Sequence, residues 1–113
     1  MSSTPRKNFA EFSRRIRAIQ AEIRALGYIS RGIVVRTYAV CGKAACHCAR
    51  KGDRRHGPYY VWSRIEKGRL ARTSLTPQRA RRLAAAIRQR RKLDRLLRKW
   101  EAISVEGIRA DTP

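Results

Sequence analysis

Residues 41–60 read CGKAACHCARKGDRRHGPYY. The three cysteines of the protein, Cys41, Cys46 and Cys48, fall within eight residues of this stretch, and His56 follows eight residues after the last of them. Thiols and an imidazole gathered in one short loop are the donor set of a closed, tetrahedral zinc site. Gly42, Gly52 and Gly57 supply the turns such a loop needs. Pro58 stiffens its exit, with Gly57 before it expected in extended backbone. In extended chain, residues two apart point the same way, so Cys46 and Cys48 converge while His47 points off the site. The expected ligands of a structural Zn2+ are therefore Cys41, Cys46, Cys48 and His56. Lys43 and the basic residues beside the thiols favour the thiolate, which is the form that binds metal. The spacing Cys-x4-Cys-x-Cys-x7-His is not that of a common zinc finger. Reduced cysteines with a packing role, an iron–sulfur cluster and a redox switch stay open as other readings. A catalytic zinc is disfavoured, because four protein ligands leave no open position and Asp53 sits among Arg and Lys as an ion-pair partner rather than a base.

On either side of the loop the residues are β-formers. Ile33–Val40 (IVVRTYAV) is β-branched and aromatic and reads as a strand running straight into Cys41. Tyr59–Ile65 reads as a second strand, Lys67-Gly68 as a hairpin turn, and Arg69–Leu75 as the returning strand. With Glu66 opposite Arg69, Trp62 faces Thr73 and Ile65 faces Leu70. One hairpin face then carries Tyr59, Val61, Ile65 and Leu70, and the other Tyr60, Trp62, Ala71, Thr73 and Leu75. Only one of them can line a small core.

Two helices flank this sheet. Thr76 followed by Pro77 is an N-cap and first-turn proline, and a long basic helix is expected over 77–102. Its apolar stripe is Leu83, Ile87, Leu93, Leu97 and Trp100, with Ala80, Ala84 and Ala86 as small filler and Arg90 and Arg91 as interruptions. Gly107 and the tail 104–113 are expected to fray. At the other end, a helix over 5–26 carries Phe9, Phe12, Ile16, Ile19, Ile23 and Leu26 at alternating spacings of three and four, a heptad seam that ends at Gly27. The seam packs on the domain's own core or forms a coiled coil, either within the chain or with a second copy. Residues 1–4 are expected to be disordered, leaving one domain over 5–103. The expected architecture is α+β: an N-terminal helix, a short antiparallel sheet holding the metal loop at 41–57 and the hairpin at 59–75, and a long C-terminal helix.

The segments CGKAACHCA and HGPYY, with the Gly68 turn and the basic helix after it, resemble a family of small uncharacterised prokaryotic proteins, a domain of unknown function. Cys41, Gly42, Lys43, Cys46, Cys48, Ala49, His56, Gly57, Pro58, Tyr59 and Tyr60 carry the resemblance. It spans roughly residues 30–100 and is specific because the motif is long. Position 47 in that family is usually basic but of no fixed type, which the resemblance adds against His47 as a ligand. The family implies fold and motif, and no activity.

The formal charge is +20, from 28 Lys and Arg against 8 Asp and Glu in 113 residues. A charge this large on one small domain calls for a polyanionic partner, and nucleic acid is the commonest. The basic residues are mostly Arg, which suits bidentate phosphate contact and stacking on bases. Arg50, Lys51, Arg54 and Arg55 of the loop and Arg88, Arg91 and Arg95 of the second helix are the expected phosphate contacts, and Tyr60 or Trp62 the stacking residue if its face is open. The rival is an interaction or oligomerisation module working through Phe9, Phe12, Ile16, Ile19, Ile23 and Leu26. An enzyme is not expected, because no paired carboxylates, Ser/His/Asp or Cys/His constellation stands beyond the metal ligands. The N-terminal MSSTPRKNFAEF lacks the apolar stretch of a signal peptide. The longest apolar run, Leu83–Ile87, is too short to cross a bilayer. With three cysteines that cannot all pair, these features place the expected protein in a reducing cytoplasm.

Overall fold

A computed structural model of the chain describes residues 3–39, 42–49 and 56–111, and of residues 3–8 and Cys48 the backbone alone. Helix α1 spans Ser3–Arg24, strand β1 Ile33–Ala39, strand β2 His56–Glu66, strand β3 Arg69–Leu75 and helix α2 Pro77–Asp111, with a 3₁₀ turn at His47–Ala49. The architecture is α+β, with one three-stranded antiparallel sheet in the order β1-β2-β3. The residues form two compact units, Met1–Ile29 with Arg88–Pro113 and Ser30–Ile87, so α2 contributes to both.

In the first unit the α1 seam is spent inside the chain. Ile19 is buried with Leu96 and Ile103 of α2, and Phe12, Ile16, Ile23 and Trp100 pack around them. The seam's end at Phe9 is exposed, and Leu26 is half-buried. The helix stops at Arg24, short of the expected 26, and its end tightens as the Ala25 and Leu26 amides donate to the carbonyls of Glu22 and Ile23. Gly27 lies beyond this stop and is not left-handed. The other helix overruns its expected end. α2 continues through Gly107 to Asp111, where fraying from 104 was expected. Gly107 costs helix propensity, but an added Cβ there would stand 3.1 Å from the Phe12 ring, so its bareness is what admits Phe12 to α2. The stripe facing α1 is therefore Leu96, Trp100, Ile103 and Gly107, rotated from the expected one, and Leu97 is exposed. Arg90, which interrupted the apolar pattern, pairs with Asp94 one turn on at 3.0 Å.

In the second unit the hairpin register is the expected one, with Glu66 opposite Arg69, Trp62 opposite Thr73 and Ile65 opposite Leu70. Lys67 (φ 51°) and Gly68 (φ 78°) both sit in the left-handed region, as a two-residue turn with the strand twist requires. Residues of β2 alternate between the two faces. Tyr60, Trp62 and Arg64 share one with Val34, Ala71 and Leu75, and all six are half-buried. Ile33, Val35, Tyr59, Ile65 and Leu70 lie on the other face and are exposed. Trp62 anchors the covered face. Its indole Nε1 donates to the Arg31 carbonyl at 2.8 Å, and the Arg64 guanidinium lies 3.9 Å from its ring centre. Arg64 is held there by Thr73 Oγ1 at 2.6 Å and by Glu66. The chain reaches Trp62 through Gly32, at φ 101°, where a Cβ would strike the Ser63 carbonyl and the indole nitrogen. α2 starts as expected, with the Arg79 amide donating to Thr76 Oγ1 at 3.2 Å and the Ser30 amide reaching the Ala86 carbonyl at 3.2 Å. Among the described residues no helix is long and apolar enough to cross a membrane.

Two glycines with positive φ separate backbone strain from collision. Gly32→Ala adds both and is expected to cost about 2–3 kcal/mol. Gly68→Ala enters open space and is expected to cost only the left-handed backbone penalty, about 1 kcal/mol. Urea denaturation of the two variants checks the order; equal losses would remove the argument for close packing at Gly32.

Candidate metal centre

The site is built where β1 and β2 leave the sheet. Their register shifts between Thr37 and Ala39, which pairs with His56, the first residue of β2. Such an irregularity re-aims side chains at a strand end. Gly57 then takes φ 133°, a region open to glycine, where extended backbone was expected. A Cβ on Gly57 would come within 2.9 Å of the Thr37 carbonyl and 3.0 Å of the Tyr38 ring, so the two strands close around its bare backbone. His56 is thereby fixed at the sheet's end and half-buried.

Its partner comes from the loop. The Cys46 amide donates to the Lys43 carbonyl at 3.0 Å, and the Ala49 amide to the Cys46 carbonyl at 3.0 Å. These bonds wind residues 43–49 into a turn and a single 3₁₀ helix. Cys46 Sγ lies 3.1 Å from His56 Nε2, both half-buried. Sulfur and nitrogen ligands on one tetrahedral zinc stand about 3.5 Å apart, given bonds of about 2.3 and 2.0 Å. The pair is thus within a few tenths of an ångström of a shared ion. His47 completes a set of three whose donor atoms all lie within 4.8 Å of one another, and its ring centre is 5.6 Å from that of His56. One thiol and two imidazoles suit a borderline-soft cation of the zinc class.

The structure places His47 beside Cys46 and His56, whereas the sequence reading turned its side chain away from the thiols. Alternation would turn it away from the thiols only in extended chain, and residues 47–49 are 3₁₀. The signal was present: AACHCA has no β-branched residue to favour a strand. Cys41 and the loop cations Arg50, Lys51, Arg54 and Arg55 lie outside the described residues, as does the side chain of Cys48. Of the other expected contacts, Tyr60 and Trp62 are half-buried on the covered sheet face, and Trp62 already carries Arg64 on its ring. Arg88, Arg91 and Arg95 are exposed, three and four apart on α2, and no ion pair involves them among the described residues. The sequence reading gave no stacking role to Tyr38 or Tyr59, which are exposed aromatics of the sheet; Tyr38 accepts a hydrogen bond from Arg36 at 2.8 Å.

Residues 9–85 match the family described as Domain of unknown function (DUF6788). The chain belongs to that family. The matched span takes in most of α1, the whole sheet, the loop between β1 and β2 and the first turns of α2, and it ends before Arg88. No curated protein and no solved structure is significantly similar to it.

Purified protein is expected to bind one Co(II) per chain with thiolate-to-cobalt absorption in the near ultraviolet. Cys46→Ser should weaken that band and His56→Ala should weaken binding. Unchanged titrations in both variants would mean that the Cys46–His56 contact is not a ligand pair.

Proposed function

We propose that the protein binds nucleic acid without catalysis, through arginines presented on a zinc-stapled loop and on α2. The observation that carries the reading is the row Arg88, Arg91 and Arg95, exposed on one helix face with no acidic partner among the described residues, in a chain of net charge +20. Cations left uncompensated in this way give a strong field and shed counterions when they meet phosphates. Arg50, Lys51, Arg54 and Arg55 extend the contact from the loop, held in register by the metal.

In this reading the ion is Zn2+, and its ligands are Cys41, Cys46, Cys48 and His56. That set is complete at four, so the exposed His47 is a spare donor beside it. A structural zinc contributes roughly 10–16 kcal/mol to folding, more than a core this thin supplies. Chelation is therefore expected to unfold at least the loop and the adjoining ends of β1 and β2. His47→Ala should keep metal and melting temperature, whereas His56→Ala should lower both; loss of metal from His47→Ala would replace the ligand set. Base stacking passes from Tyr60 and Trp62 to Tyr59, which lies on the open sheet face.

Affinity for duplex or single strand is expected to fall log-linearly with salt, by about 0.9 in slope for each duplex phosphate neutralised. Replacing Arg88, Arg91 and Arg95 together by Gln should weaken binding to all sequences alike and flatten the slope. The same slope and affinity in wild type and triple variant, across a salt series, would remove α2 from the binding surface.

A further inference from the structure

On the side of α2 turned away from the α1 seam lies a shallow groove lined by Arg98, Glu101, Ala102, Val105, Glu106 and Arg109. Val105 is half exposed at 52 %. Glu101, Val105 and Arg109 follow one another at intervals of four, so they form one row on the helix. Neither Glu101 nor Arg109 is in an ion pair among the described residues. The row is self-complementary. If a second α2 is laid antiparallel across it on a two-fold axis through Val105, residues equally far on either side of Val105 come together. Val105 meets its own copy, Glu101 meets Arg109 of the second chain twice over, and small Ala102 meets Ile108.

The charge distribution favours this place over any other on the helix. Residues 77–100 carry ten Lys and Arg and one Asp, whereas residues 101–111 carry Glu101, Glu106 and Asp111 against Arg109 alone. Two copies of a chain at +20 repel one another through most of their surface, and the last three turns of α2 are where that repulsion reverses. An apolar residue at the centre, oppositely charged residues at mirrored positions and relief from like charge are what an isologous contact requires. We propose that the protein forms a two-fold dimer through antiparallel pairing of α2 about Val105, with Glu101 of each copy paired to Arg109 of the other. The contact is independent of the nucleic-acid reading and uses none of the residues assigned to it.

The full-length protein, freed of nucleic acid at high salt and returned to moderate salt, is the material for sedimentation equilibrium. Wild type is expected at twice its 13.0 kDa chain mass. Glu101→Arg and Arg109→Glu each place like charges opposite one another at both ends of the pairing, and each is expected to raise the dimer Kd at least about tenfold. The double variant Glu101→Arg/Arg109→Glu restores opposite charges and is expected to restore the dimer. Both changes are at exposed positions, and unchanged helical circular dichroism in the three variants shows that the fold is kept. Wild type at a single chain mass throughout the concentration range would overturn the proposal. So would a dimer indifferent to both single changes, or a double variant no better associated than the singles.

Discussion

Cys46 and His56 meet across ten residues of chain at 3.1 Å, and the contact ties the turn at 43–49 to the first residue of the central strand. Much depends on such a tie, because the interior offers little else. The buried apolar residues among those described are Ile19, Leu96 and Ile103 in one unit and Ala80, Ala86 and Ile87 in the other, and no described side chain is fully buried. A sheet of three strands with one open face does not bury enough surface to hold a long polar loop at its end. The remaining anchors on the sheet are polar and specific: the Trp62 indole on the Arg31 carbonyl, Arg64 laid over the Trp62 ring, and the two strands closed on Gly57. In the proposed reading, a metal held at the loop would supply the cross-link that the apolar core does not.

The long helix α2 divides its length between different tasks. Its first turns are fixed by Thr76 and Pro77 and by the Ser30–Ala86 backbone bond in the sheet-containing unit. Its later turns pack Leu96, Trp100 and Ile103 against α1, with Gly107 letting Phe12 approach. The surface left over changes sign along the helix, from the arginine row at 88–95 to the acidic end at 101–111. In the proposed readings one element would present phosphate contacts at 88–95 and a surface for its own copy at 101–109.

Arginine has different roles here, and position decides which. Arg64 and Arg90 are tied to Glu66 and Asp94 and are partly buried, so they serve the fold. Arg36 is bound to the Tyr38 hydroxyl. Arg88, Arg91 and Arg95 have no such ties among the described residues. Net charge alone cannot separate these groups. It counts each of them once, whereas only the untied ones keep their counterions ready for release.

Local chemistry was legible in the sequence. The elements and their order, the Lys67-Gly68 turn, the register it sets in the hairpin, and the Thr76 cap all follow from interactions between residues a few positions apart, where residue type determines backbone geometry. The clustering of Cys46 with His56 in one loop was legible for the same reason. Two features were decided by tertiary structure alone. The α1 seam found its partner in α2 of the same chain; a heptad pattern states that a face must be covered, and not by what. Helix α2 ran through Gly107, because the cost of a bare helical position is offset by contact with Phe12, a residue 95 positions away in the chain. In each case the sequence by itself determined which groups seek a partner, and only packing between distant segments decided which partner each one found.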